Sequence, residues 1–98
     1  MKLQMHSIKF DADSKLLDVV QKKMDKLETY YDRVINGEVF LRLNNEGIKN
    51  KTVEIKLNIP GDQLFAVATD KSFEAATEEA TEALRRQLKK YKQRIMSH

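Results

Sequence analysis

Apolar and polar positions alternate from the start of the chain. Leu3 and Met5 fall on one parity, and Lys2, Gln4 and His6 on the other, which predicts a short first strand. The phase slips at Ser7, because Ile8 and Phe10 sit on the opposite parity, so the strand is expected to end or bulge there. Asp13 then offers a helix N-cap. Leu17, Val20, Met24, Leu27 and Tyr31 recur at helical spacing, predicting one apolar stripe on a helix that runs to about Tyr31.

Past Asn36-Gly37, the alternation resumes with Val39, Leu41 and Leu43 against Glu38, Phe40 and Arg42. A polar turn over 44–47 leads to the clearest strand, in which Val53, Ile55, Leu57 and Ile59 alternate with Thr52, Glu54, Lys56 and Asn58. Pro60-Gly61-Asp62 reads as a tight turn, and 64–69 as a fourth strand. A final helix over 72–95 carries its stripe on Phe73, Ala76, Ala80, Leu84, Leu88, Tyr91 and Ile95. Gly37, Gly47, Pro60 and Gly61 read as punctuation between elements. Strands joined by short turns pair antiparallel, and every element has a single apolar face. The predicted fold is therefore α+β in the order β-α-β-β-β-α, with both helices on one face of a four-stranded sheet. The other sheet face, with Phe40, Arg42, Glu54, Lys56 and Asn58, is left to solvent or a partner.

Charge changes this picture. Glu74, Glu78, Glu79 and Glu82 occupy the first half of the last helix, and Arg85, Arg86, Lys89, Lys90, Lys92 and Arg94 the second. Acids first and bases last complement the helix macrodipole, but that effect fades within the terminal turn and leaves several bases unexplained. Two helices side by side on a sheet turn their polar faces into one surface. Lys15, Lys22 and Lys26, flanked by Lys23 and with Arg33 just beyond, would then merge with the second run into one basic plateau. The local field far exceeds the net charge of +3, and a polyanion such as RNA is its natural partner.

Composition closes off other chemistry. The 98 residues read as one domain, 1–98, with 41% apolar and 34% charged residues. There is no Cys, and no stretch nears the roughly twenty apolar residues that span a bilayer. No signal peptide is expected, which suits a cytoplasmic protein. Of the two histidines, His6 reads as a surface residue and His98 ends the chain, so no catalytic triad or HxxxH metal site assembles. Gly47 and Gly61 are isolated, so no phosphate-cradling loop exists. Glu78, Glu79 and Glu82 suit i,i+3 and i,i+4 pairing with Arg85 and Arg86 better than acid catalysis. No catalytic residue, cofactor, metal or small-molecule substrate is expected. Tyr31 and Tyr91 read as core, Tyr30 as partly exposed, and Phe40 as either a stacking platform or a cover for the sheet.

Four segments carry a resemblance. MKLQMHSIKFDAD gives a strand, bend and cap; KLETYYDR is similar to KLEKYFDR; NIPGDQLFAVA matches a PGG-x-L-x-A-x-A segment; and ALRRQLKKYK resembles KLERQLRKYK. In this order and spacing they resemble the short ribosome hibernation-promoting factors, the family that includes the ribosome-associated inhibitor protein Y. The resemblance implies a non-enzymatic bacterial protein of the stress response. It would bind the small ribosomal subunit in the channel for mRNA and tRNA, contact rRNA with both helices, and inhibit translation. Carried over, the contacts fall on Lys22, Lys23, Lys26, Arg85, Arg86, Lys89, Lys90 and Lys92, and the charge pattern adds Arg33 and Arg94 to the expected rRNA-binding set. The chain departs from the family at Ala83, where Lys is usual, at Arg85, where Glu is usual, and at AATE in place of an AAID-like segment. It ends after the last helix, so no dimerisation domain or acidic tail is implied, and a monomer is expected off the ribosome. Two alternatives stay open: a general double-stranded-RNA-binding module, whose α-β-β-β-α core has the same order, and a protein-interaction domain using the open sheet face and Phe40.

Overall fold

The computed structural model describes residues 1–44 and 47–96. Asn45 and Glu46 of the expected polar turn, and His98, lie outside the described residues. The elements are β1 (Lys2–Ile8), α1 (Ser14–Leu27), β2 (Asn36–Leu43), β3 (Lys51–Ile59), β4 (Asp62–Asp70) and α2 (Phe73–Met96). The sheet order is β1-β2-β3-β4. β1 runs parallel to β2, and the other neighbours are antiparallel. Order and architecture match the expectation, a four-stranded mixed sheet with two helices.

Several boundaries differ, each for a physical reason. β1 does not bulge at Ser7; its register continues through Ile8 opposite Arg42, and the chain turns at Lys9, whose φ is 68°. α1 stops at Leu27 rather than near Tyr31. After it the amides of Glu28, Thr29 and Tyr30 bond to carbonyls three residues back, and the Thr29 hydroxyl donates to the Lys26 carbonyl at 2.7 Å. This tighter turn ends the helix yet leaves Tyr31 buried. Gly37 is no punctuation. It lies buried within β2, where an added Cβ would stand 2.9 Å from Leu3 Cδ2 and 3.2 Å from Met24 Cε, so α1 packs close over this strand. β4 begins at Asp62, because Ile59 pairs with Asp62 across the Pro60-Gly61 turn, where Gly61 has φ 78°.

One core joins the helices to the sheet. Val20, Met24, Leu27 and Tyr31 from the α1 region meet Val39, Leu41, Val53, Ile55, Leu57 and Ile59 from the strands and Phe73, Ala76, Ala80, Leu84 and Leu88 from α2. Leu17 is only partly covered. Ile95 leaves the expected stripe and is 45% exposed. At about 1.5 Å per residue, the 24 residues of α2 outrun the strands beneath them. Tyr91 is the last stripe residue with a tertiary anchor: it meets Tyr31 edge to face at 5.6 Å and donates to the Pro60 carbonyl at 3.0 Å. Thr77 and Thr81 are also buried, their hydroxyls satisfied by the Phe73 and Thr77 carbonyls.

Candidate nucleic-acid interface

Local sequence sets both helices at a fixed start. The Asp13 carboxylate accepts from the Leu16 amide at 2.9 Å, and the Ser72 hydroxyl accepts from the Ala75 amide at 3.0 Å, each satisfying an orphan donor of a first turn. Burial of the two stripes then lays α1 beside α2. Lys23 on α1 forms an ion pair with Glu78 on α2, and the Lys92 ammonium donates to the Tyr30 carbonyl at 2.8 Å. The groove between the helices is lined by Lys23, Lys26, Leu27, Tyr30, Glu78, Thr81, Glu82 and Arg85.

The ten expected contact residues therefore share one side of the molecule in part only. Lys22, Lys26 and Arg33 are exposed on and just beyond α1. Arg85 and Lys92 lie toward α1, while Arg86 and Lys89 are exposed between the flanks. Lys90 and Arg94 turn to the far flank, where they line a hollow with Leu64, Gln87 and Tyr91 beside β4. Gln87 donates there to the Phe65 carbonyl at 2.9 Å. The cations form a curved band rather than a flat plateau, because bases at 85, 86, 89, 90, 92 and 94 are spread around more than half the helix circumference.

Acids interrupt the band. Glu82 takes Arg85 in a bidentate grip, with Nε at 3.1 and 3.0 Å from its two oxygens, and it lies 3.7 Å from Arg86. That hydrogen bond holds the Glu82 carboxyl below its usual range and raises the Arg85 guanidinium above its own. The expected helical pairing is present at Glu82 and absent at the other two acids. Glu78 bonds across to Lys23, and Glu79 shares a hydrogen bond with Asp70 that raises Glu79 and lowers Asp70. Arg94 sits 3.9 Å from Asp62 and 5.7 Å from the centre of the Tyr91 ring. Lys22, Lys26, Lys89 and Lys90 make no side-chain hydrogen bond or ion pair with another described residue. Their ammonium groups are held in water, available to an incoming anion.

Glu78 and Tyr30 belong to this surface without a motif that marks them as part of it. The Lys23–Glu78 pair joins residues 55 apart, and no local spacing announces it. Tyr30 carried one signal, its place beside the core residue Tyr31.

On the opposite sheet face the polar side chains satisfy one another. Arg42 bonds Glu54 at 2.5 Å, Asn58 donates to Asn36 at 2.6 Å, and Gln63 donates to Asn58 at 2.8 Å. Phe40 is stacked on His6 at 4.7 Å, with the Lys56 ammonium 5.6 Å from its centroid. His6 also meets Glu38 at 2.8 Å. Among the described residues no cluster of His, Asp or Glu suits a metal ion, and no helix is long and apolar enough to cross a membrane.

Comparison with known proteins adds a family to this geometry. A ribosome hibernation promotion factor of Deinococcus radiodurans is 30% identical over 97 residues, covering 95% of this chain and 50% of the relative. The chain thus spans half the length of that protein. A ribosome hibernation promoting factor of Pseudomonas putida is 34% identical over 82 residues, covering 84% of this chain and 78% of the relative. A ribosomal subunit interface protein of Coxiella burnetii has the same fold, with a TM-score of 0.84 at 24% identity over 94% of this chain and 98% of its own. Residues 3–96 match the family described as Sigma 54 modulation protein / S30EA ribosomal protein, and the chain belongs to that family.

Proposed function

We propose that this protein is a ribosome hibernation factor that binds the small ribosomal subunit through the cationic band of its two helices. The supporting observation is the lateral packing of α1 and α2, which gathers cations from both helices around one groove. Family membership supports the ribosome as the partner and a bacterial, non-enzymatic role in translation control. Each Lys or Arg seated on an rRNA phosphate releases a condensed counterion, so several contacts together give high affinity with steep salt dependence. The proposed contacts are Lys22, Lys26, Arg33, Arg86, Lys89 and Lys90, whose charged groups face solvent. Lys23 and Arg94 join them at the cost of exchanging an internal partner, while Arg85 and Lys92 add positive charge and keep theirs. Occupying the mRNA and tRNA channel would inhibit translation without turnover of any substrate. Such work belongs to the cytoplasm, and the domain 1–98 would carry it as a monomer off the ribosome.

Sedimentation with intact ribosomes and with separated subunits tests this reading. The protein should pellet with the small subunit at one copy each and leave the large subunit alone. Equal affinity for naked duplex RNA of arbitrary sequence, with translation untouched at saturation, would replace the reading by a general RNA-binding module.

A further inference from the structure

We infer that Tyr30 and Arg85 form a stacking site for one unpaired nucleobase, set within the cationic band. This rests on the RNA-binding reading above and adds to it a contact that is not electrostatic. Tyr30 follows the end of α1 and remains 36% exposed, unlike its buried neighbour Tyr31. The Arg85 guanidinium carbon lies 5.8 Å from its ring centre. Arg85 is itself fixed by the two-oxygen grip of Glu82, and the Tyr30 backbone is fixed by the Lys92 ammonium on its carbonyl. The Tyr30 hydroxyl makes no hydrogen bond to another described residue. Lys26 lines the same groove, and Arg33 follows three residues later, exposed.

The ring thus has Arg85 against its face and shares its groove with Lys23 and Lys26, whose charge outlasts the pairing of Glu78 with Lys23 and of Glu82 with Arg85. A neutral protein surface has no use for that charge, and a duplex presents its phosphates and not its base faces. A single-stranded or bulged nucleotide uses both parts: its base stacks on the ring or guanidinium plane while its flanking phosphates meet Lys26, Arg33 and Lys92. Glu82 then has a positive role, since it spends its charge on orienting Arg85 and not on repelling the backbone.

The test uses the full chain and purified small subunits. Tyr30→Leu should lose about five- to a hundredfold in affinity, the range of one base–aromatic stack. Its dependence of log affinity on log salt should keep the parent slope, because no cation is removed. Tyr30→Phe should restore the affinity. The chain has no Trp, so Tyr30→Trp installs a single indole whose fluorescence should be quenched on binding as a base stacks on it. Parent-like affinity for a folded Tyr30→Leu would overturn the inference while leaving the proposed function standing. Lost affinity without indole quenching would assign the patch to a protein partner and also overturn it. Failure of the parent protein to bind small subunits would instead strike the proposed function itself.

Discussion

Single side chains decide where charge on this molecule is available. Lys89 and Lys90 reach water unpaired by any described residue, whereas Lys23 and Arg85 already hold carboxylates. Local spacing made the Glu82–Arg85 grip legible in the sequence, but only folding could bring Glu78 to Lys23. The Asp70–Glu79 pair gives a pH prediction. Glu79 is raised by the hydrogen bond it shares with Asp70, and Asp70 is lowered by the same bond. A raised group adds stability below its unfolded pKa and loses it as pH rises through the folded value. A lowered carboxyl adds stability above its unfolded pKa. The pair therefore contributes most at mildly acidic pH, where Asp70 is ionised and Glu79 protonated. As pH rises through the raised Glu79 range the shared hydrogen bond is lost and the two carboxylates repel, with Lys49 offsetting part of the repulsion. Glu79→Gln should raise the melting temperature at pH 7, and the gain should shrink toward zero as pH falls through the raised Glu79 range. Melting curves across pH check it; a gain independent of pH would show that the two carboxyls do not share a proton.

At the scale of elements, periodicity carried most of the information. β3 and the stripe of α2 were legible because every second residue, or every third and fourth, meets the same core. The polar ends of β4, Asp62 and Asp70, pair with Ile59 and Lys51 but carry no apolar signal, so alternation alone predicts a shorter strand. Thr77 and Thr81 escape the apolar pattern for the converse reason: their hydroxyls bond back to the helix, which lets polar residues join a buried face. Leu84 is fully buried at the centre of α2. Leu84→Ala should cost on the order of 2–5 kcal/mol in denaturant unfolding, a transfer loss plus a cavity. That is a large share of the roughly 5–15 kcal/mol expected of a small domain. An unchanged midpoint would mean the stripe does not face the sheet.

For the whole molecule, one arrangement joins fold to proposed function. A sheet with helices on a single face has two unlike surfaces. One is the cationic band over α1 and α2; the other is the open sheet face, where Arg42–Glu54, His6–Glu38 and the Asn36–Asn58–Gln63 chain satisfy one another's hydrogen bonds. The sequence announced the band as two basic runs and the topology that brings them together. It did not announce the curvature of the band or the acids within it, since those depend on how far around α2 each side chain falls. If RNA phosphates hold the helix side, affinity for small subunits should fall steeply and log-linearly with rising salt. Translation inhibition should track occupancy and be relieved as salt strips the protein off.

The central claim is that the helix side, and not the sheet side, meets the small subunit. Co-sedimentation with purified small subunits across a salt series, comparing the parent with Lys89→Glu/Lys90→Glu and with Lys56→Glu, tests it most directly. Lys89 and Lys90 are exposed on α2, and Lys56 lies beside Phe40 on the opposite face. The predicted result is a folded double variant that no longer pellets with the subunit, and a Lys56→Glu protein that pellets like the parent with the same salt slope. Equal losses in the two proteins, or a loss confined to Lys56→Glu, would contradict the account.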